Sequence, residues 1–140
     1  MINNHDLFHL IHQLSRQLHK SLNEALQPFS LYSAQWSVLF VLKMKGTLTQ
    51  SELCDYLSVE APPMTRTIQR LIKQGYVKQI PGKEDKRVKH IVLTEQALSE
   101  YPKWEKAVLK MNESLLAHFS KSQQEELTRL LLEFSHQLKE

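Results

Sequence analysis

Apolar residues at positions 7, 8, 10, 11, 14, 18, 22 and 26 recur at spacings of three and four, a period that predicts one long amphipathic helix over residues 6–26. Pro28 ends it. A second helix is expected over residues 33–45, capped by Ser33, burying Trp36, Leu39, Phe40 and Val41, and stopped by Gly46. Thr49 followed by Glu52 has the spacing of a capping box and opens a short third helix. Its apolar side is Leu53, Cys54 and Leu57, and it ends near Ser58. Pro62 and Pro63 suit the first turn of a fourth helix, where their missing N–H groups have no intrahelical acceptor, and Gly75 closes it. On that helix Met64, Ile68, Leu71 and Ile72 cluster on one side, with Arg66, Gln69, Arg70 and Lys73 opposite. Residues 76–80 and 89–94, rich in Val, Ile and Tyr, flank the segment PGKEDKRV and predict a β-hairpin. Thr94 caps a fifth helix in which Pro102 predicts a kink in the preceding turn, the helix then resuming to about residue 119. Ser120 with Gln123 opens a last helix carrying Leu127, Leu130, Leu131, Phe134 and Leu138 as one stripe.

The expected fold is therefore mainly α with a small β-hairpin wing, and composition agrees with it. A chain of 140 residues with 3 Gly and 5 Pro is one domain long and poor in turns, and 41% hydrophobic with 24% charged residues is the balance of a folded protein. Its one cysteine, Cys54, cannot form an intramolecular disulfide and reads as a small buried hydrophobe. No apolar run approaches the roughly 20 residues of a membrane span, so a cytoplasmic location with no membrane partner is expected.

The total charge of +3 conceals an asymmetry. Residues 61–94 hold eight Lys or Arg against two acids, a net +6, which leaves −3 for the remainder. A short helix, a basic-faced helix and a basic hairpin in that order are the arrangement of a winged helix-turn-helix, whose second helix enters the major groove while positive charge meets phosphate. Arg66 is the best base reader, because a guanidinium bonds guanine O6 and N7 together. Pro62 and Pro63 can touch thymine methyls, and Gln69, Arg70 and Lys73 suit phosphates or base edges. An enzyme is disfavoured: there is no phosphate-binding glycine loop, no H-E-x-x-H and no second cysteine. A winged helix that binds protein should expose apolar residues where this one carries basic ones.

Asp85-Lys86-Arg87 followed by Leu93-Thr94, with VEAPPMTRTIQRLIKQGYV before it, resembles the MarR (multiple antibiotic resistance regulator) family of bacterial transcription factors along essentially the whole chain. The resemblance implies a homodimeric, DNA-binding repressor of a pseudo-palindromic operator, with residues 1–28 as an N-terminal dimerisation helix. Residues 29–94 would form the DNA-binding lobe and 95–140 the C-terminal dimerisation helices. Thr65-Arg66 matches the family's T-R position, Arg87 its minor-groove arginine and Asp85 the acid that orients it, and Lys83, Lys86 and Lys89 would add phosphate contacts. Pro62 and Pro63 depart from the family's Ser or Thr, which bears on sequence preference. The family implies a small aromatic or anionic effector, for which Trp36 could be a wall and Arg16 an anion partner, against the alternative that Trp36 is core. No cofactor or metal is implied. His5, His9, His12, Arg16 and His19 share one face of the first helix, within about 80°. That stripe reads first as a polar or partner-facing surface, with metal chelation and pH coupling as alternatives.

Overall fold

The computed structural model describes residues 3–139. In chain order it contains α1 (Asn4–Leu26), a 3-10 turn (Gln27–Phe29), α2 (Ser33–Lys45), β1 (Leu48–Thr49), α3 (Gln50–Leu57) and α4 (Ala61–Gln74). Strands β2 (Val77–Pro81) and β3 (Lys89–Leu93) follow, then α5 (Glu95–Leu115) and α6 (Lys121–Leu138). Helix boundaries follow side-chain chemistry. Asn3 Oδ1 accepts from the Asp6 N–H at 2.9 Å, so α1 opens two residues before the expected start. Thr49 and Glu52 form the reciprocal box that begins α3, and the Thr49 backbone N–H donating to its carboxylate holds Glu52 below the usual carboxylate range. Ser120 and Gln123 do the same for α6.

The cap of α2 differs from expectation. Tyr32 is the N-cap, its N–H satisfied by Gln35 Oε1 at 2.9 Å, while Ser33 is already helical and its N–H donates to Asn23 Oδ1 on α1 at 2.7 Å. A side chain ten residues away replaces the local cap, which is why spacing alone misplaced it. Helix α5 carries Pro102 inside it and stops at Leu115, four residues before the expected end. Buried Tyr101 and Trp104 flank the proline and hold the helix on the core, outweighing one missing hydrogen bond.

The sheet is antiparallel in the order β1-β3-β2, with Val77 opposite Leu93, Pro81 opposite Lys89 and Leu48 opposite Ile91. Both hairpin strands match expectation to within a residue. The two-residue β1 was not expected, since no periodicity can show in so short a strand.

One buried cluster unites α2, α3, α4, the sheet and α5 from Ala97 to Val108, closed by Leu26 at the end of α1. Trp36 stacks on Tyr101 (centroids 5.3 Å, planes 25° apart), and Tyr76 meets Trp104 edge-on at 4.8 Å. Two residues assigned to the buried side are at its margin: Phe40 is 39% exposed and Ile72 38%. Helix α2 is apolar nearly all round, so its period cannot select a face, and Ile72 lies one 100° step beyond Leu71. Among the described residues α6 contributes nothing to this cluster, and α1 contributes Leu26, with half-buried Leu22 packed against it.

Candidate nucleic-acid interface

Helix α4 is seated by its apolar side and braced by polar contacts at both ends. Met64, Ile68 and Leu71 are buried, each burial worth about 1.5–3 kcal/mol. At the N-terminal end Gln50 of α3 donates through Nε2 to Thr65 Oγ1 at 2.7 Å, and that hydroxyl donates to the Ala61 carbonyl at 2.9 Å. Thr65 is thus a brace between the two helices, with its hydroxyl already engaged twice. At the C-terminal end the buried Gln35 donates to Gln74 Oε1, and Gln74 Nε2 donates to the Ser30 carbonyl at 2.9 Å. Gly75 stops the helix at φ +86°, a left-handed conformation, and Tyr76 N–H returns to the Leu71 carbonyl at 2.9 Å. Thr94 then donates to the Gly75 carbonyl at 2.6 Å and accepts from Ala97 N–H at 3.1 Å, so one hydroxyl links the end of α4 to the start of α5.

The opposite face of α4 is open. Pro62, Pro63, Arg66, Gln69, Arg70 and Lys73 are all exposed, as the spacing predicts. Tyr32, which the sequence did not single out, lines a cleft of about 330 Å³ together with Arg70 and Lys73. It stands 38 residues before Arg70, and no local pattern links the two.

The wing is built on a tight turn. Gly82 N–H donates to the Val88 carbonyl at 2.8 Å and Val88 N–H to the Asp85 carbonyl at 3.1 Å. A Cβ on Gly82 would fall 2.7 Å from the Asp85 carbonyl oxygen, so only glycine fits without backbone movement. Asp85 grips Arg87 at three points: Oδ1 accepts from the Arg87 backbone N–H at 3.0 Å and from Nε at 3.2 Å, and Oδ2 accepts from Nη2 at 3.2 Å. The Arg87 side chain is nonetheless 92% exposed, aimed outward and pre-oriented, with Lys83, Lys86 and Lys89 exposed beside it. The Arg87 side chain, then its backbone N–H, lowers the Asp85 pKa. With the folded value depressed, the pairing is complete above the ordinary carboxylate pKa of about 3.9 and is lost as pH falls through the lowered value. A carbon NMR titration of the Asp85 carboxyl is expected to give a midpoint below about 3.9 that rises toward it in Arg87→Ala, where only the backbone N–H is left to lower it. An unchanged midpoint in that variant would show that the pair does not hold in solution.

The remaining candidates separate. Trp36 is buried yet reaches a cavity lined by α1, α2, α5 and Leu131 of α6, whereas Arg16 is exposed and does not line it. His5, His9 and His12 are exposed on α1, and His19 Nδ1 lies 3.2 Å from Ser33 Oγ. Among the described residues, no three His, Cys, Asp or Glu gather in a way that could hold a metal ion. Cys54 is half-buried against the core.

The MarR family profile matches residues 31–88. Over 134 residues the chain is 46% identical to the uncharacterized HTH-type transcriptional regulator YwoH of Bacillus subtilis (strain 168), covering 96% of this chain and 97% of that protein. The multiple antibiotic resistance protein MarR of Escherichia coli (strain K12) is 35% identical over 85 residues, 61% of this chain and 59% of that one. Among solved structures, a MarR transcriptional regulator from Methanosarcina mazei Go1 aligns with a TM-score of 0.86 at 26% identity, over 99% of this chain and 94% of that one. A mutant E. coli MarR complexed with operator DNA aligns with a TM-score of 0.84 at 28% identity, over 91% and 92%.

Proposed function

The chain belongs to the MarR family of transcriptional regulators, and from that premise we propose that it binds a pseudo-palindromic DNA operator as a homodimer, represses transcription there and is released by a small effector. The observation that carries DNA binding is the exposed basic face of α4 next to a wing whose arginine is oriented by Asp85. Arg66 reads base edges in the major groove, and Pro62 and Pro63 supply apolar contact at the same end. Gln69, Arg70 and Lys73 take phosphates or edges, with Tyr32 adding a neutral hydroxyl to the phosphate beside Arg70 and Lys73. Arg87 enters the minor groove, favoured where A·T tracts narrow it and deepen its negative potential, and Lys83, Lys86 and Lys89 follow the backbone.

Dimerisation is supported by what the single chain leaves uncovered. Leu7, Phe8, Leu10, Leu14 and Leu18 of α1 and the α6 stripe from Leu127 to Leu138 are exposed apolar residues on helices outside the main core. Residues 1–28 and 95–140 thereby serve as dimerisation helices and 29–94 as the DNA-binding lobe. Two-fold symmetry then sets two copies of α4 about one helical turn apart on DNA, which makes a palindrome the expected site.

Selection of bound sequences from random duplex DNA tests this directly. The expected product is an inverted repeat whose half-sites are separated by about one turn, about 10 base pairs. Enrichment of no symmetric sequence, or binding that ignores salt, would refute the proposal.

A further inference from the structure

We propose that Gln50, at the start of α3, is a positioning residue of the DNA interface: acting through Thr65, it holds the N-terminal end of α4 at the angle from which Arg66 discriminates between bases. The inference rests on reading the chain as a sequence-specific DNA-binding protein and adds what sets that specificity from outside the contact surface.

The N-terminal end of α4 has little else to hold it. Glu60 occupies the N-cap, but its side chain makes no capping bond. Pro62 and Pro63 have no N–H, and the Met64 N–H donates to the Glu60 carbonyl at 3.2 Å. A helix N-terminus can steady itself on a phosphate through free backbone donors, and here two of them are missing. Orientation of this turn therefore falls to contacts inside the protein. Met64 anchors it from below. Among the described residues, Gln50 is the one side chain of another element that hydrogen-bonds to it, donating through Nε2 to Thr65 Oγ1 at 2.7 Å, with the Ala61 carbonyl 3.5 Å from the same nitrogen. The far end of α4 is held more than once, by Gln35 on Gln74, by Gln74 on Ser30 and by Thr94 on Gly75.

The same arrangement commits the Thr65 hydroxyl. A threonine hydroxyl has one proton to give and two lone pairs. The proton goes to the Ala61 carbonyl at 2.9 Å, and Gln50 occupies a lone pair. A phosphate oxygen only accepts, so Thr65 has no proton for DNA unless it gives up its bond to Ala61. Its role is then orientation. Thr65 immediately precedes Arg66, and a hydroxyl held from α3 fixes the rotation of the turn that carries the guanidinium. Both partners are half-buried, which limits competition from water. Without the bond this end of the helix can rock. That costs a bidentate base contact, which needs a narrow geometry, more than a phosphate contact, which a flexible cation satisfies over a range of positions.

The test is a double-variant cycle on the full chain, read as the ratio of affinities for the selected operator and a scrambled duplex. Gln50→Met keeps side-chain length and neutrality and removes the donor. It is expected to lower that ratio about three- to tenfold, with the loss concentrated at the base pair that Arg66→Ala also relaxes and with the salt slope on scrambled duplex unchanged. The same loss should recur in a Thr65→Ser background, which retains the hydroxyl, and shrink to within about 1.5-fold in Thr65→Val, which lacks it. A loss that persists in Thr65→Val, equal losses on both duplexes, or a lowered thermal midpoint with the ratio intact would overturn the assignment. A direct phosphate contact by Thr65 would show itself as Thr65→Val weakening both duplexes alike, and would overturn it too. Should Gln50→Met fail to fold, Thr65→Ser must still exceed Thr65→Val in the ratio by about threefold or more, and equal ratios would refute the brace. A wild-type chain that prefers no duplex counts against the regulator reading, whereas a clear wild-type preference that Gln50→Met leaves intact counts against this inference alone.

Discussion

Arg66→Ala is expected to weaken operator binding by about 1–3 kcal/mol, roughly 5- to 150-fold, while changing affinity for random duplex far less. Its guanidinium is exposed on the outward face of α4, whose register is held by Met64, Ile68 and Leu71 below and by the Gln50 and Gln74 hydrogen bonds at the two ends. Removing an exposed side chain from a helix seated that way subtracts a contact without disturbing the fold. Lys83→Ala is the informative contrast. A lysine on the wing meets phosphate, so its loss should lower affinity for every sequence and reduce the salt slope by about one ion. Titrations of both variants on operator and scrambled duplex at several salt concentrations separate the two roles. Equal losses on both duplexes for Arg66→Ala would remove it as a base reader.

Leu127→Glu combined with Leu130→Glu is expected to convert the protein to a monomer and lower operator affinity by about 100-fold or more, because two half-sites joined in one particle bind with an effective concentration that a monomer lacks. Both leucines are 45% exposed in the single chain and lie outside the main buried cluster, so two charges there should spare the DNA-binding lobe. A covered interface cannot accept them: each buried, unpaired carboxylate costs several kcal/mol. Analytical ultracentrifugation reads the assembly, and affinity for an isolated half-site, which should be unchanged, reads the integrity of the lobe. A double variant that stays dimeric and keeps operator affinity would show that this face of α6 is not the interface.

Much of the site was legible because its signals are local. The Thr49–Glu52 box, the prolines of the first turn of α4, the Gly75 stop and the alternation of buried and basic positions all act within one or two helical turns, and the structure reproduces them. The Asp85–Arg87 pair spans two residues and forms the grip that the family resemblance implied. What escaped are the contacts between distant segments. Tyr32 beside Arg70, Gln35 on Gln74 and Gln50 on Thr65 join residues 15 to 39 positions apart. Polar side chains at such separations carry no periodic signature. The Asn23 bond that displaced Ser33 from the cap of α2, and the core contacts that carried α5 through Pro102, are of the same kind.

By itself, then, the sequence determined the order of the helices, the hairpin wing and the face of α4 that carries positive charge, because caps, breakers and the 3.6-residue period operate on neighbours along the chain. Only the tertiary structure decided which polar groups brace α4, that Arg16 is off the cavity wall and Glu105 on it, and that α1 and α6 leave much of their apolar stripes exposed. Those outcomes depend on which surfaces meet across long stretches of chain, and burial and charge in a cavity belong to that meeting and not to any one helix.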